Sequence, residues 1–535
     1  MRETLHLTGD AATYRRLLGL WVCCVVAATV VSMRTIGNSS ACLTPDEAFS
    51  WRVTQRPWAQ MLDCVARDTH PPGYFLLLKG WVIVWGDSPS ALRSMSVLFG
   101  LLAVGVTFLA VRTWTMTGSG AAKVHSWRCA GPALVVTLAA AGSQQVEAAF
   151  TARMYSQGAF CCALTQLFLA RALLAEASRG RALFGYALAV AGFLYTHHYA
   201  LFTVAAQASL VLALCAQCRI RRQRGAGRIL ASYALALLAA FALYSPWAPV
   251  LVEQIRRVDA GFCESGATIA DVSRSFALWC IGFNSAQTVW VWCWVAFAAV
   301  GIIAAFRAAP FGASFFCWQA VIPWVLCLRP WAIGAPVILA DRYFTFAQLS
   351  LFCLWGIALQ SIKEPVRRAC YATAILAFVG WGTAAAISAR LAQPSPLIAA
   401  AAQMCGELRR ADLVVVSGPG DVNLHRYYCR RMGRADIRFR CKLEFAHVRG
   451  LVAHAASLVD VDVLRRDDVF PDGGRLWVCA REDSAFALVP PNARIIGRRV
   501  FGGRRGPRWA LLHCAVGERD ERVIEHALQA GGSGA

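Results

Sequence analysis

Charged residues are scarce in this chain: 16% of its 535 residues are Asp, Glu, Lys or Arg, whereas 57% are hydrophobic. With a mean hydropathy of +0.48, this composition excludes an ordinary soluble protein and indicates a polytopic membrane protein. Acidic residues are fewer than basic ones: the 31 Asp and Glu stand against 53 Lys and Arg, which gives a net charge of +22. The basic clusters alternate with apolar segments instead of forming one face. This argues against nucleic acid as a partner and favours basic residues at cytoplasmic helix ends.

The motifs of many soluble enzymes are missing as well. The turn at 417–421, Ser-Gly-Pro-Gly-Asp, could hold a phosphate, but it lacks dinucleotide or P-loop spacing, and plain turn chemistry is the simpler interpretation. None of the 21 cysteines stands out as part of a metal-binding pair. Many lie in apolar runs, where they behave as small hydrophobic residues. A disulfide between Cys42 and Cys64 stays open if their loop is extracytoplasmic.

About eleven apolar stretches are long enough to cross a bilayer, which takes roughly 17–25 residues. They lie near 17–34, 91–111, 132–150, 155–175, 182–198, 199–217, 229–250, 288–306, 312–328, 343–361 and 370–389. The first could be a signal peptide. However, it has no convincing cleavage site and many spans follow, which favours an uncleaved membrane helix.

The basic residues decide how the shorter apolar stretch, 71–85, is placed. If it dips into the outer interface instead of crossing, the basic clusters between the spans fall on the side of Arg15 and Arg16, as the positive-inside rule requires. We therefore predict a cytoplasmic N-terminus and a first extracytoplasmic loop over 35–90. This loop is expected to hold a juxtamembrane helix, 48–65, and a re-entrant helix, 73–85.

The sequence predicts two domains: an all-α polytopic membrane domain, 1–394, and a small extracytoplasmic α/β domain, 395–535. In the second, Leu413–Val416 has the pattern of a buried strand, and a helix is expected from the following turn through Tyr428. Further strands are predicted over 475–480 and 509–514.

Asp46 and Glu47 stand side by side in the predicted extracytoplasmic loop. A carboxylate near lipid is costly unless it is paired or functional. Asp46 could act as a general base toward an attacking hydroxyl, and Glu47 could tune its pKa or help to bind a metal. The alternative is an ordinary helix start, because Pro45 and two acids suit a first turn.

Three arginines, Arg93, Arg153 and Arg342, are predicted at outer span ends, against the positive-inside trend. Arginine is suited to holding a phosphate through several N–H groups, so an anionic headgroup site is favoured over interfacial snorkelling. For Arg342, an ion pair with Asp341 is a further alternative. We expect other members of this site on the same face: His70, Tyr343 and, as cavity-lining residues, Tyr155, His197 and Asp341.

A divalent metal is a further open question. Glu47 or His70, with one of the two histidines His197 and His198, could supply ligands to such an ion. A packed or interfacial histidine explains the same residues equally well. No cofactor is therefore certain from the sequence.

The motifs are similar to those of the integral-membrane C-type glycosyltransferases. The resemblance covers roughly 15–390 and is most specific over 70–100, His-Pro-Pro-Gly-Tyr-Phe-Leu-Leu-Leu-Lys followed by Ser-Ala-Leu-Arg-Ser-Met-Ser-Val-Leu-Phe-Gly. Ala-Arg-Met-Tyr at 152–155, Tyr-Thr-His-His-Tyr at 195–199 and Asp-Arg-Tyr at 341–343 extend it. The branch that the chain resembles holds the protein O-mannosyltransferases and the lipid A aminoarabinose transferase. Where many relatives have Glu before Ala-Arg, this chain has Thr151, so an acceptor or metal contact made by that glutamate is not carried over to this chain.

This resemblance implies an inverting transfer from a polyprenyl-phosphate sugar donor at the extracytoplasmic face. Asp46 matches the catalytic acidic position and Glu47 completes the Asp-Glu pair. His70 matches a neighbour of the donor phosphate or metal, and Arg93 an arginine that those enzymes require. Arg153 and Arg342 would hold the departing lipid phosphate. The acceptor, whether protein, glycolipid or polysaccharide, is open.

The resemblance also implies a multi-pass protein of a bacterial inner membrane. Two other functions stay open at this point: a transporter or flippase for lipid-linked sugars, and a protein that binds such lipids without transferring the sugar. A transporter usually shows inverted repeats and broken midplane helices, which are not evident here. The charged motifs cluster on one face, which favours a transferase.

Overall fold

A computed structural model provides the structure of this protein. It describes residues 42–116, 130–222, 225–259, 276, 288–332, 341–391, 396–409, 412–416, 419–442, 463–464, 475–481, 485, 488–489, 493–501 and 508–516. The chain divides into two compact units. The membrane unit comprises Met1–Ser39 and Thr69–Leu391, and the C-terminal unit comprises Ser40–Asp68 and Ala392–Ala535. The domain boundary at residue 394, which we inferred from the sequence, stays a prediction.

The described part of the membrane unit is helical. Its helices are α3 Gly73–Trp85, α4 Pro89–Met116, α5 Ala130–Ala141, α6 Ser143–Phe150, α7 Tyr155–Leu174, α8 Arg179–Leu194, α9 Ala200–Ile220, α10 Ala226–Tyr244, α11 Ala248–Asp259, α12 Thr288–Ala308, α13 Pro310–Ala332, α14 Thr345–Ser361 and α15 Pro365–Leu391. Short 3-10 turns lie at Glu176–Ser178, Ser245–Trp247 and Asp341–Phe344. Two more helices, α1 Pro45–Thr54 and α2 Trp58–Arg67, belong to the C-terminal unit.

Five helical segments in the described residues are long and apolar enough to cross a membrane. They are Pro89–Thr113, Tyr155–Leu174, Ala200–Ile220, Ala226–Arg256 and Arg342–Ser361. The predicted polytopic helical fold with a small C-terminal sheet is confirmed, whereas the count of about eleven spans stays a prediction. The first predicted span, 17–34, and the neighbouring Arg15 and Arg16 lie outside the described residues.

Small residues allow the helices of this bundle to approach closely. A methyl group on Gly158 of α7 would lie 2.4 Å from the ring of Phe346 on α14. On α5, a methyl group at Gly131 would lie 2.4 Å from the carbonyl oxygen of Gly356, also on α14. Such close approach is the main source of van der Waals packing between helices in lipid, where apolar burial drives little association.

A buried polar network ties five helices together within the same bundle. Gln207 of α9 donates to Thr165 at 2.9 Å and to Gln319 at 2.7 Å, and it accepts from Tyr186 at 2.8 Å. Tyr186 is also 3.0 Å from the hydroxyl of Tyr233. Because each polar group would be costly to leave unmatched in an apolar interior, these bonds favour one helix arrangement.

Two helices predicted as continuous are each broken in two. The predicted juxtamembrane helix over 48–65 was wrong as one element, because Pro57 lacks an N–H group and forms the start of α2. The apolar stretch 132–150 is divided at Gly142, which has an extended backbone (φ −63°, ψ 132°) and precedes α6. The predicted helix over 73–85 is present with those bounds as α3.

The C-terminal unit contains a six-stranded sheet and two further helices. The strands are β1 Leu413–Val416, β2 Arg438–Lys442, β3 Val463–Leu464, β4 Arg475–Arg481, β5 Ala493–Phe501 and β6 Trp509–Val516. The helices are α16 Pro396–Glu407 and α17 Pro419–Arg431. In the order β3-β2-β1-β4-β6-β5, the first four strands are parallel, and β6 and β5 are antiparallel additions. The strands predicted around 413, 475 and 509 are therefore confirmed.

Helix α1 packs against α17 inside the C-terminal unit, and 385 positions separate Leu43, just before α1, from Tyr428 of α17. Trp51 meets Tyr427 edge to face, with 5.1 Å between ring centroids. The backbone N–H of Leu43 donates to the hydroxyl of Tyr428 at 2.9 Å. Arg430 lies over the ring of Trp51 and donates to the side-chain oxygen of Gln55 at 2.8 Å. The segment with Asp46 and Glu47 is thus held by the C-terminal sequence.

Candidate functional site

The first half of the predicted site lies at the start of α1. Thr44 and Glu47 form a capping box: the Glu47 carboxylate accepts from the Thr44 N–H at 2.8 Å, and the Thr44 hydroxyl accepts from the Glu47 N–H at 3.3 Å. Glu47 is fully buried, whereas Asp46 is partly exposed. The buried glutamate therefore fixes the first turn of the helix that carries Asp46.

The second half of the predicted site lies in the membrane unit. Nη2 of Arg153 is 3.5 Å from Nε2 of His70. Because a guanidinium can only donate, this His70 nitrogen accepts, and the Nδ1–H is then available to the Thr69 hydroxyl 3.2 Å away. Ser96, one turn beyond Arg93 on α4, donates to the backbone oxygen of Arg153 at 3.3 Å. His70, Arg153 and the N-terminal part of α4 are therefore neighbours.

The turn between α8 and α9 places His197 next to His70. Its ring centroid lies 6.0 Å from that of His70, 6.1 Å from Tyr155 and 5.2 Å from Tyr343. Tyr343 is also 4.9 Å from Tyr199. These rings form an aromatic wall, which we define as Tyr155, His197, Tyr199 and Tyr343.

Arg342 lies against this aromatic wall. Its guanidinium carbon is 5.9 Å from the ring centroid of Tyr155 and 5.9 Å from that of Tyr343. The side chain of Arg342 is exposed, whereas Arg153 is 4% exposed and Arg93 is 2% exposed. Arg342 therefore places an exposed positive charge against the rings, and Arg153 places a buried one beside His70. The side chain of Asp341 lies outside the described residues.

His197 offers a donor without a partner among the described residues. Its Nδ1 accepts from the backbone N–H of Tyr199 at 3.1 Å, so in the neutral ring the proton is on Nε2. That Nε2 atom is buried and makes no hydrogen bond within the described part of the chain. Because Nδ1 accepts this hydrogen bond, the ring is neutral and presents an N–H group at Nε2.

Gln254 joins two parts of this site. From α11, its amide N–H donates to the backbone oxygen of His70 at 3.2 Å, and its side-chain oxygen lies 3.0 Å from Nε2 of His198. It is 1% exposed. The sequence analysis did not identify this residue. The sequence did offer one signal for it: a glutamine in a mostly apolar stretch, Ala-Pro-Val-Leu-Val-Glu-Gln-Ile over 248–255.

A backbone contact fixes the His70 loop against the turn after α8. The N–H of Gly73 donates to the carbonyl oxygen of Tyr195 at 2.8 Å. A methyl group at Gly73 would lie 2.6 Å from that oxygen, so only glycine allows this approach. Pro71 and Pro72 restrict the chain just before it. These three residues place His70 beside His197.

The described residues do not form a metal centre: no group of three or more His, Cys, Asp or Glu side chains among them could hold an ion. The Nδ1 atom of His197 is occupied by a backbone N–H, and its Nε2 carries the proton, so neither ring nitrogen fits a ligand role. Cys42 and Cys64 are not joined by a disulfide. Cys215 and Cys218, which have two-residue spacing, are also free, in α9.

No known protein family and no characterised protein sequence matches this chain. Among solved structures, ArnT from Cupriavidus metallidurans in the apo state is similar, with a TM-score of 0.61 and 15% identity, over 92% of this chain and 97% of that one. This chain has the ArnT fold. ArnT bound to undecaprenyl phosphate gives a TM-score of 0.60 at 15% identity, covering 92% of this chain and 98% of the other. The mycobacterial arabinofuranosyltransferase AftD reaches 0.49 at 12% identity, over 94% of this chain and 42% of that one.

Proposed function

We propose that this protein transfers a sugar from a polyprenyl-phosphate donor to an acceptor at the extracytoplasmic face of a bacterial inner membrane. The observation that carries the proposal is the cluster of phosphate-binding groups in the membrane unit. Arg153 lies beside His70, Arg342 lies against Tyr155, and the buried N–H of His197 faces no acceptor among the described residues.

The chemistry of this cluster suits a phosphate on a lipid carrier. The arginines supply charge-assisted hydrogen bonds, and a neutral N–H from His197 adds direction without a third full charge. The aromatic wall and the apolar helices around it suit the isoprenoid part of such a lipid. In support, the fold is shared with ArnT, a protein whose structure bound to undecaprenyl phosphate is known.

In the proposed reaction, Asp46 accepts the proton of the acceptor hydroxyl or amine. The acceptor atom forms a bond to the anomeric carbon while the bond from that carbon to the phosphate oxygen breaks, with inversion. The polyprenyl phosphate leaves with the electron pair of that bond. Arg153 and Arg342 stabilise the negative charge that develops on it. We assign Glu47 the supporting role of fixing the helix turn that presents Asp46.

Arg93 has a positioning role in this proposal. It is buried on α4 one turn before Ser96, whose hydroxyl binds the backbone of Arg153. Residues three apart lie on one helix face, so Arg93 lies on the face of α4 that carries Ser96. Nothing in this scheme requires a metal, and no step depends on one.

Lipid binding by purified full-length protein in nanodiscs tests the phosphate site. Arg153→Gln removes one charge-assisted contact, worth about 1.5–3 kcal/mol, so the Kd for undecaprenyl phosphate is expected to rise about 10- to 100-fold. Arg367→Gln is the matched control, because Arg367 is 80% exposed and pairs with Glu364. Equal affinity of the Arg153 variant and the parent, with both folded, would contradict the site.

A further inference from the structure

Two cysteine side chains of the C-terminal unit lie next to each other. Cys405 is in the last turns of α16, Cys429 is near the end of α17, and their side chains are direct neighbours. Both are free thiols in this structure. The two helices pack against one another, so the pair joins elements that are separate in sequence.

Arg434 holds both cysteines in place. Its guanidinium donates to the carbonyl oxygen of Cys405 at 2.7 Å, and its backbone N–H donates to that of Cys429 at 2.8 Å. Asp436 accepts from the same guanidinium at 2.9 Å and so fixes its direction. The backbones on either side of the thiol pair are therefore anchored by one residue.

The two thiols differ in the way that a thiol–disulfide exchange requires. Cys405 is partly exposed, whereas Cys429 is buried. The hydrogen bond from Cys429 and the charge of Arg434 lower the pKa of Cys405, while the hydrogen bond and burial raise the pKa of Cys429. A thiolate is the attacking species, so Cys405 is the residue that an external disulfide meets first.

We propose that Cys405 and Cys429 form a disulfide that ties α16 to α17. The Cys405 thiolate attacks one sulfur of an external disulfide, such as glutathione disulfide, and releases one glutathione thiolate. In this mixed disulfide, Cys429 no longer hydrogen-bonds to a Cys405 thiolate, which was the largest cause of its raised pKa. The Cys429 thiol then loses its proton, and its thiolate attacks the Cys405 sulfur and releases the second glutathione. Two cysteine thiols are oxidised, one glutathione disulfide is reduced to two glutathiones, and the two thiol protons end on them.

In the cell, this bond depends on an oxidising compartment, which is the side that the proposed function gives to the C-terminal unit. Its structural effect concerns α17, because Tyr427 and Tyr428 of that helix hold α1 and the segment with Asp46. A covalent tie on α17 would restrict the unfolding of this whole contact. The bond therefore stabilises the surroundings of the proposed base without touching it.

Peptide mapping of the purified full-length protein tests the bond. The protein is equilibrated with glutathione disulfide, its remaining thiols are alkylated in denaturant, and the digest is analysed by mass spectrometry. We expect the peptides with Cys405 and Cys429 to be joined, and lighter by two hydrogen atoms than their sum. In Cys405→Ser, Cys429 should be alkylated instead. The exposed Cys370 of the membrane unit serves as the control that takes up alkylating reagent or glutathione.

A second measurement follows the thermal unfolding of the parent protein. Reduction of the oxidised parent should lower the unfolding midpoint of the C-terminal unit by about 5–10 °C. The same reductant should leave Cys405→Ser unchanged. Alkylation of both cysteines in the parent after equilibration, or a glutathione adduct that persists on Cys405, would overturn the proposal. Neither test uses sugar transfer, so failure here is separate from failure of the proposed function.

Discussion

Gln254 accepts a hydrogen bond from Nε2 of His198 over 3.0 Å, although 56 positions separate the two residues. Its amide orientation follows from its other contact, because the backbone oxygen of His70 can only accept and therefore takes the amide N–H. His198 must then donate from Nε2. One glutamine thus holds both histidine motifs of the proposed phosphate site in a defined arrangement.

This relationship predicts different effects for two substitutions of Gln254. Gln254→Leu removes both hydrogen bonds, and Gln254→Glu keeps an acceptor for His198 but places a carboxylate oxygen against the carbonyl of His70. We expect each to raise the Kd for undecaprenyl phosphate about 10-fold or more, with the glutamate more severe because it adds negative charge beside the phosphate site.

The adjacent Glu253→Gln is the control for Gln254, since Glu253 is exposed and pairs with Arg256. Binding is measured in nanodiscs at matched protein folding, which is checked by the unfolding midpoint. Parent-like binding by both Gln254 variants would show that the histidine motifs keep their arrangement without it.

The close contact of Gly73 with Tyr195 gives a prediction with an internal control. Gly73→Ala pushes a methyl group into the Tyr195 carbonyl oxygen, whereas Gly80→Ala, in the same helix, meets nothing within 4 Å. Overpacking of this kind costs about 1–3 kcal/mol. We expect Gly73→Ala to lower the unfolding midpoint and lipid binding together, and Gly80→Ala to change neither. Indistinguishable behaviour of the two variants would mean that this contact does not position His70.

Glu47 can be tested as a helix cap by comparing two substitutions. The amide oxygen of Glu47→Gln can still accept from the Thr44 N–H, whereas Glu47→Ala cannot, at a cost of about 0.5–2 kcal/mol. We expect Glu47→Gln to retain most of the transfer rate and stability, and Glu47→Ala to lose stability. A glutamine variant as inactive as the alanine variant, but with parental stability, would instead make Glu47 a catalytic carboxylate.

We expect the buried His425 to make the C-terminal unit less stable in acid. It is fully buried beside Phe439 and Trp509, and burial lowers its pKa to about 3. Unfolded histidine has a pKa of about 6.5, so only the unfolded chain binds the proton between these values. Stability should therefore fall as pH drops below about 6.5 and change little above pH 7. At pH 5 this amounts to about 2 kcal/mol.

The measurement for His425 is the unfolding midpoint of the C-terminal unit as a function of pH. His425→Phe retains an aromatic ring between the same neighbours and should remove most of the loss between pH 7 and pH 5. An equal loss in the parent and in this variant would assign the acid sensitivity to other groups.

Local patterns in the sequence predicted a large part of this structure. Helix α3 and the strands near 413, 475 and 509 follow from apolar runs bounded by glycine and proline. The predicted neighbours His70, Arg153, His197 and Tyr343 do come together in the membrane unit. We identified these residues from the predicted topology and from the resemblance of their motifs, because the sequence around each of them does not show which span ends are adjacent.

The remaining features depend on contacts between distant segments. The role of Gln254 is visible only when α11 is placed beside two loops, and the binding of α1 to α17 needs the packing of Trp51 on Tyr427. By contrast, the break in the predicted helix over 48–65 could have been predicted from the sequence, because Pro57 lies within that stretch.

Transfer of a labelled sugar from polyprenyl-phosphate donors by the purified protein tests the central claim most directly. Because sugar and acceptor are open, the assay follows release of free polyprenyl phosphate from a panel of lipid-linked sugars with membrane extract as acceptor. The account predicts release by the parent, and a loss of at least about 100-fold in Asp46→Asn, as expected when a general base is removed. Full activity of Asp46→Asn, or binding of every donor without release by the parent, would contradict it.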